Sequence, residues 1–252
     1  MRHRDLSQIM NENGSSTSFD ELAFTYRLRE ICHTETLGLT AAQAQRCARH
    51  VGLMLTWNQR HNLTRITRPE DILIKHVLDS LLPARWLPSQ GIAIDIGSGA
   101  GFPGVPLKIL YPELHMHLLE SHGKKASFLK MLLGRLRLDE LTVLAARWED
   151  LARADSPIKP ASVALITMRA LKLPPKGFAE FAANILQPGG MLAHWQGPGQ
   201  AEGLSPAEMA DFDLSEQSGG VLVFEGSHAY HLPRNYGARR LLVWRSPDTT
   251  SD

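Results

Sequence analysis

Apolar residues recur at helical spacing after three helix-starting signals in the first third of the chain. Residues 18–21 (Ser-Phe-Asp-Glu) fit a capping box, and residues 40–43 (Thr-Ala-Ala-Gln) fit another. A third helix is predicted to begin within residues 67–70, with Pro69 in its first turn, and to end near Pro83. Three helices with few strand signals predict an N-terminal helical cap over residues 18–88.

From residue 91 the pattern changes to short apolar strands that alternate with helices. The five strands predicted there are Ile92–Ile96, Leu114–Leu119, Leu141–Ala145, Ser162–Ile166 and Met191–Trp195. Such alternation is typical of a doubly wound α/β fold with a parallel sheet. Two further candidates, Val221–Phe224 and Leu241–Trp244, have no strong helix between them and predict an antiparallel hairpin at the sheet edge. A mostly parallel, seven-stranded sheet domain is therefore expected over residues 89–246, between a disordered N-terminus (1–17) and a C-terminal tail (247–252).

Composition indicates the class of protein and the compartment in which we expect it. The chain has 252 residues, 43% of them hydrophobic, and can bury a sizeable core without metals or disulfides. Cys32 and Cys47 have no metal-ligand spacing, so we expect reduced thiols and no metal site. The start of the chain is polar and no stretch reaches about 18 uninterrupted apolar residues. A cytoplasmic protein with no membrane partner is the expectation.

The charge is balanced overall but uneven along the chain. Lysine and arginine number 27 and acidic residues 26, giving a formal net charge of +1, which does not by itself indicate nucleic-acid binding. Cations nevertheless concentrate in residues 60–76, 124–137 and 234–245. These runs are either solvated faces or, if they line one cleft, a phosphate-binding rim.

A glycine-rich turn follows the first strand and is the most informative feature. Gly97, Gly99 and Gly101 come directly after a buried strand that carries Asp95 near its end. Bare backbone in such a turn lets a ligand lie close, and Asp95 is predicted either to orient the loop or to meet a ligand group. The next strand is followed by Glu120, placed to accept hydrogen bonds from both hydroxyls of a ribose.

Two ligand classes fit this turn. Residues 99–104 match the dinucleotide fingerprint G-x-G-x-x-G literally, so an NAD-linked oxidoreductase is one hypothesis. The register opposes it, because the tight turn after the strand falls on Gly97 and the third fingerprint glycine would then fall on Phe102. A strand followed by Asp-x-Gly-x-Gly-x-Gly is the arrangement seen in S-adenosylmethionine-dependent methyltransferases, and we favour that class.

Each of several residues outside the glycine turn allows two interpretations of its role. Trp148 is predicted to stack on an adenine or to cover the core, and Glu149 to accept from an amine or to start a helix. Arg169 follows the fourth strand, where it would touch cofactor, base or phosphate, or form a surface ion pair. His76, Asp79 and Ser80 share one helical face, which is a poor hydrolase triad. They form either a polar patch that docks the cap on the sheet or a surface that faces RNA.

These residues together resemble a known family, over roughly residues 58–242. The motifs are Asn62-Leu63-Thr64, His76-Val77-Leu78-Asp79-Ser80-Leu81, residues 95–104, Gly123-Lys124-Lys125, Arg147-Trp148-Glu149 and Arg169-Ala170. The chain resembles the bacterial RsmG (GidB) methyltransferases, and the Gly-Phe-Pro-Gly continuation of the loop is more specific than a generic glycine turn. The resemblance implies S-adenosylmethionine-dependent methylation of guanine N7 at position 527 of 16S ribosomal RNA. Three positions depart from the family pattern, namely Trp148, Gln196 and Arg240.

The resemblance assigns cofactor contacts to Gly97, Phe102, Trp148, Glu149 and Arg169, with Glu120 in the ribose position. Asp95, Gly99 and Gly101 of the glycine turn complete the expected cofactor contacts. The expected RNA contacts are Asn62, Arg65, His76, Lys124, Lys125 and Arg147. Arg169 is the expected catalytic residue, and the implied partner of the expected monomer is 16S RNA, the 30S subunit or an assembly intermediate. Methylation of another RNA or of a small molecule, and a non-enzymatic RNA-binding protein, are the remaining hypotheses.

The expected chemistry needs few functional groups. Guanine N7 carries a lone pair and no proton, so an in-line methyl transfer needs no general base, and no base or metal constellation is evident in the sequence. Catalysis would be mainly positioning of an extruded nucleotide. Because an arginine that grips O6 and N7 together would block the reacting atom, we expect Arg169 or Arg147 to touch O6, a phosphate or the cofactor instead.

Overall fold

Three helical segments open the computed structural model, which describes residues 19–153, 155–169, 177–197 and 222–248. Helix α1 (Glu21–Thr34) is capped by Asp20, whose carboxylate accepts from the backbone N–H of Ala23 at 2.9 Å. The observed N-cap of α1, Asp20, therefore lies two residues after the predicted one, Ser18, which is outside the described residues. The second predicted capping box is confirmed, since Thr40 and Gln43 cap α2 (Ala41–His61) reciprocally.

The third segment is longer and less regular than predicted. It runs as α3 (Pro69–Ile72), a π-helical stretch (Leu73–Leu78), α4 (Asp79–Leu81) and a 3₁₀ stretch (Leu82–Trp86). Pro83 does not end it, because Pro83 stands in the first turn of the 3₁₀ stretch, where its missing N–H is not needed and its fixed φ fits. Within it Ser80 Oγ donates to the carbonyl of His76 at 2.6 Å, a back-bond that competes with the regular helix ladder.

The sheet has seven strands in the order β3-β2-β1-β4-β5-β7-β6. The strands are β1 (Gly91–Ile96), β2 (Leu114–Leu119), β3 (Leu141–Leu144), β4 (Val163–Arg169), β5 (Leu186–Gln196), β6 (Val223–His231) and β7 (Ala238–Arg245). The helices between them are α5 (Gly104–Leu110), α6 (Gly123–Leu136), α7 (Trp148–Leu151) and α8 (Phe178–Ile185). Strands β1 to β5 pair in parallel, and β7 pairs antiparallel with β5 and β6. The predicted mostly parallel sheet with an antiparallel edge hairpin is confirmed.

Apolar side chains cover both faces of the sheet. One buried cluster joins residues of α1 and α2, such as Leu28 and Met54, to sheet and helix residues such as Leu107 and Leu165. The other lies under α7 and α8 around Phe178. The N-terminal helices thus pack directly on one face of the sheet. The division into a cap (18–88) and a sheet domain (89–246) stays a prediction, and the predicted N-terminal tail and most of the C-terminal one lie outside the described residues.

Asp79 is where the N-terminal helices and the sheet meet. Its side chain is buried and accepts from Tyr230 Oη at 2.8 Å. Arg169 Nη1 lies 3.4 Å from its Oδ2 and Arg239 Nε lies 3.7 Å from its Oδ1. Trp195 Nε1 donates to its backbone carbonyl at 2.8 Å. Of the two interpretations of the polar patch, docking of the helices on the sheet is the one these contacts show.

No helix among the described residues is both long enough and apolar enough to cross a bilayer.

Removing the carboxylate of Asp79 is expected to destabilise the protein strongly. Asp79→Ala leaves two buried guanidinium groups uncompensated, so the free energy of unfolding should fall by about 3–5 kcal/mol in urea titrations. The control is Glu225→Ala, which removes an exposed pair with Arg245 and should cost about 1 kcal/mol or less. Equal losses in the two variants would contradict a junction at Asp79.

Candidate active site

The glycine loop leaves β1 in a conformation that only glycine adopts easily. Gly97, Gly99 and Gly101 have φ of 70°, 58° and 91°. The N–H groups of Gly97 and Ser98 both donate to the carbonyl of Leu119, at 2.9 and 3.1 Å, which ties the turn to the end of β2. A Cβ added at Gly99 would meet nothing nearer than the Gly97 carbonyl oxygen, 3.8 Å away. The loop therefore presents open backbone at the carboxyl edge of the sheet.

Asp95 holds the loop from below. Its side chain is fully buried, with Oδ2 accepting from the Gly104 N–H at 3.1 Å and Oδ1 from the Thr167 hydroxyl at 2.8 Å. Burial raises the pKa of this carboxyl to about 6, although these hydrogen bonds favour the ionised form. A Cβ at Gly104 would lie 2.6 Å from Leu118 and 2.8 Å from Asp95 Oδ2. Loop stapling is thus observed for Asp95, and its direct cofactor contact stays a prediction.

The first turn of α5 has no spare N–H group for a pyrophosphate. Gly104 donates to Asp95, Val105 to the Gly101 carbonyl and Leu107 to the Pro103 carbonyl, while Pro106 has no N–H. A dinucleotide fold needs free donors at this helix N-terminus. The structure therefore opposes the dinucleotide interpretation on chemical grounds.

Glu120 closes the other side of the loop. Its carboxylate is mostly buried, and Oε2 accepts from the Gly99 N–H at 2.9 Å while Oε1 accepts from the His122 N–H at 2.7 Å. An ionised carboxylate has about four lone-pair sites, so two of them remain for further donors. Glu120 thereby joins the loop to the start of α6 and keeps acceptor capacity beside open backbone.

Phe102 lies in a stack of rings that sequence reasoning did not find. Its ring centroid is 4.5 Å from that of His50 and 4.9 Å from that of His76, with nearly parallel planes. His50 sits on α2 and its Nε2 contacts the Ala100 carbonyl oxygen at 2.7 Å. A histidine on the apolar face of a helix was the available signal, but its partner is about fifty residues away in the chain.

Both histidines are neutral at physiological pH. Burial lowers the pKa of His50 to about 4. Burial and, secondarily, the charge of Arg169 lower the pKa of His76 to about 3. With Arg169 Nη2 3.2 Å from His76 Nδ1, that nitrogen accepts, which leaves Nε2 to donate to Thr64 Oγ1 at 3.3 Å.

Arg169 joins the sheet to the ring stack. Its Nη1 contacts Asp79 and its Nη2 contacts His76 Nδ1, as described above. In addition, Nη1 donates to the carbonyls of Lys75 and His76, both at 3.3 Å. The guanidinium carbon lies 5.5 Å from the Phe102 ring centroid. The side chain is 12% exposed. The structure brings Arg169, Phe102 and His76 together. Their predicted cofactor, catalytic and RNA contacts stay predictions.

Trp148 and its neighbours lie at the start of α7. The Trp148 ring centroid is 5.4 Å from those of Phe178 and Phe181, so this side chain covers the second core. Arg147 and Glu149 are exposed beside it. Core covering is therefore observed for Trp148, whereas its stacking on an adenine and the roles of Arg147 and Glu149 stay predictions.

The remaining candidate RNA contacts are at the surface. Asn62 ends α2 with a left-handed φ of 47°, and Arg65 follows in the same exposed loop. The side chain of Asn58 fixes this loop by two hydrogen bonds to the backbone of Thr64, at 2.9 and 3.1 Å. Lys124, which is exposed, and Lys125, which is half-buried, lie in the first turn of α6, a few residues after Glu120.

Solved structures share the fold. One is the putative methyltransferase in complex with the Haloferax volcanii Trm112 methyltransferase activator, with a TM-score of 0.54, 14% identity and coverage of 77% of this chain and 97% of that one. Another is a SAM-dependent methyltransferase from Aquifex aeolicus, with a TM-score of 0.53, 14% identity and coverage of 73% and 97%. At this identity the similarity supports the fold alone.

Relatives of higher identity and a family match show more than the fold. A ribosomal RNA small subunit methyltransferase G from Syntrophobacter fumaroxidans is 43% identical over 218 residues, 86% of this chain and 94% of that protein. One from Carboxydothermus hydrogenoformans is 34% identical over 223 residues, 86% and 88% of the two chains. Residues 43–224 match the family described as rRNA small subunit methyltransferase G, known as GidB. This chain therefore belongs to the rRNA small subunit methyltransferase G family.

Proposed function

We propose that this protein transfers a methyl group from S-adenosylmethionine to N7 of a guanine in 16S ribosomal RNA, the guanine at position 527. The observation that carries the proposal is the open three-glycine loop between Asp95 and Glu120, in a chain that belongs to this methyltransferase family. The proposed substrate is 16S RNA in the 30S subunit or in an assembly intermediate. The protein would act on it in the cytoplasm as a monomer.

The residues at the loop fit the cofactor. Open space above Gly99 leaves room for a ligand against the backbone, and the two unused lone-pair sites of Glu120 suit ribose hydroxyls. The absence of free N–H groups on α5 agrees with a ligand that has no pyrophosphate. When bound, S-adenosylmethionine supplies an electrophilic methyl group on a sulfonium.

The chain's own contribution is positioning. Guanine N7 has a lone pair and no proton, so no side chain has to remove one. Holding two reactants in line can supply about 7–11 kcal/mol of the barrier. The loop, fixed from both sides by Asp95 and Glu120, holds one reactant, and the exposed cations near Asn62 and Lys124 face the RNA.

Arg169 acts here mainly through its neighbours. Three contacts share its Nη1 and a fourth takes one hydrogen of Nη2, so gripping guanine O6 and N7 with these two nitrogens would break the contact with Asp79. This keeps N7 free for the methyl group, as the chemistry requires. The contacts of Arg169 to Phe102 and His76 let it position the wall of the loop.

The decisive test supplies tritiated S-adenosylmethionine and 30S subunits that lack the methyl group. Label is expected in 7-methylguanosine after nucleoside digestion and at position 527 after sequence mapping. Binding of the cofactor with no labelled RNA would contradict an RNA substrate. Label in another nucleoside, or at another guanine, would replace the proposed base or position.

Glu120→Ala should weaken cofactor binding. Losing one to two charge-assisted hydrogen bonds, worth about 1.5–3 kcal/mol, raises the Kd of S-adenosylhomocysteine about 10- to 100-fold in calorimetry. Glu113→Ala, an exposed acid in the turn before β2, is the control and should bind as the wild type does.

A ribose-modified ligand separates ribose binding from loop support. The 2′,3′-dideoxy analogue of S-adenosylhomocysteine should bind the wild type more weakly than the parent compound. Glu120→Ala should not distinguish the two ligands. If it distinguishes them as the wild type does, Glu120 supports only the loop.

The transfer step should not depend on pH in the neutral range. From about pH 7 to 8.5 His50 and His76 stay neutral and Asp95 stays mostly ionised, and no proton is removed from N7. The single-turnover rate constant should be flat there. It should fall below about pH 6, where Asp95 gains a proton and loses an acceptor for the loop. A tenfold rise per pH unit would instead reveal a general base.

A further inference from the structure

A basic groove lies between α2 and α6, on the face of these helices away from the sheet. It encloses about 980 Å³, and Glu21 is the one carboxylate among its described lining residues. Its five cations, all exposed, are Arg46, Arg49, Lys130, Arg135 and Arg137. Sites for small ligands are mostly apolar, so this groove has the character of a polyanion surface.

The five cations of the groove outnumber its one carboxylate among the described lining residues, Glu21. None of them forms an ion pair with a carboxylate of the described residues. Elsewhere the exposed Arg234 pairs with Glu70, and the half-buried Arg27 and Arg245 pair with Glu30 and Glu225. Like charges that are not neutralised repel each other and oppose folding. A bound polyanion would relieve this repulsion.

The cations form two facing rows. Arg46 and Arg49 lie on one face of α2, and continuing at helical spacing that face also carries Arg60. Lys130 and Arg135 lie on α6 and Arg137 follows as its left-handed C-cap residue, and no atom lies within 4 Å of the missing Cβ of Gly134 among them. Trp57, late in α2, packs on Phe128, early in α6, so the two helices run antiparallel. The rows thus line one trough.

This trough leads away from the cofactor loop. Helix α6 starts at Gly123, just after Glu120, and rises about 1.5 Å per residue. Lys130 therefore lies about 10 Å, and the end of α6 about 20 Å, from the start of the helix.

We infer that the α2/α6 groove binds the phosphate backbone of the ribosomal RNA substrate at a segment separate from the methylated base. The inference rests on the proposed function for the identity of the RNA. Exposed guanidinium and ammonium groups without carboxylate partners match a phosphate backbone and carry no base specificity. The groove increases affinity for the large substrate and takes no part in methyl transfer.

The test is charge reversal with a control of equal charge change. The groove variant combines Arg46→Glu with Arg49→Glu, and a second one on the opposite wall combines Lys130→Glu with Arg135→Glu. The control combines Arg29→Glu with Lys159→Glu, two exposed cations outside the groove. Circular dichroism and the Kd of S-adenosylhomocysteine identify any variant that fails to fold. If one groove variant fails to fold, the variant of the opposite wall is used to test RNA binding.

Binding to 30S subunits that lack the methyl group, the substrate of the proposed function, is measured between about 50 and 200 mM salt. Each groove variant should bind at least about tenfold more weakly, and the slope of log K against log salt should shrink by about 0.7–0.9 per lost phosphate contact. The KM for RNA should rise while kcat at saturating RNA stays unchanged. The control should stay within about twofold of the wild type, because exposed charges outside the site are screened.

Three results would overturn the inference. Groove variants that bind RNA as the control does would show that these cations are only a solvated surface. A fall in kcat without a change in RNA affinity would place the groove's effect in the reaction step. Poly-glutamate that displaces RNA at equal charge concentration would favour an acidic protein as the occupant. Failure of the proposed function would give a different result, in which the wild-type protein binds RNA but transfers no label to it.

Discussion

The buried carboxylate of Asp79 is the interaction on which the rest of the arrangement depends. It joins an irregular helical segment to β4 and β5 and to the edge hairpin, through Arg169, Trp195, Tyr230 and Arg239. Replacing a buried ion pair by apolar residues is often neutral, whereas removing one partner is costly. The network therefore acts less as a source of net stability than as a constraint, since misplacing either side leaves buried charges unpaired.

The same constraint reaches the glycine loop. Arg169 contacts Asp79, His76 and the Phe102 ring, and Phe102 belongs to the loop between two neutral histidines. Neutral imidazoles matter here, because a protonated His76 could not accept from Arg169 and would place two cations side by side. The wall of the loop and the helical segment that carries His76 are thus held by one set of short contacts.

The sequence predicted the parts of the fold that depend on local pattern. The parallel strands, the edge hairpin, the glycine turn and the place of Glu120 all follow from residues that are close along the chain. Asp95 and Trp148 show the limit, because strand-end position alone does not distinguish a staple or a core cover from a ligand contact. Their neighbours, Gly104 and Phe178 among them, show the staple and the core cover, and the ligand contacts of both residues stay predictions.

Contacts between distant segments could not be predicted in this way. The pairing of His50 with Ala100, and of Asp79 with Arg169 and Tyr230, joins residues about 50 to 150 positions apart. The π-helical stretch has no simple sequence signal either, since helix type depends on the packing that surrounds it. The sequence therefore predicted which residues lie at the edge of the sheet, while packing determined which of them face each other.

A net charge near zero is compatible with a strongly basic surface because the acids are not distributed evenly. Much of the negative charge lies in ion pairs, as with Glu70, Asp71 and Glu225, or in structural contacts, as with Asp95 and Glu120. Acids used in this way neutralise their own neighbourhoods and leave the α2/α6 groove positive. For recognition of a polyanion the local field is what counts, since at physiological salt screening limits its reach to about 8 Å. Total charge is consequently a poor guide to this protein's partners, and the pairing of individual charges is a better one.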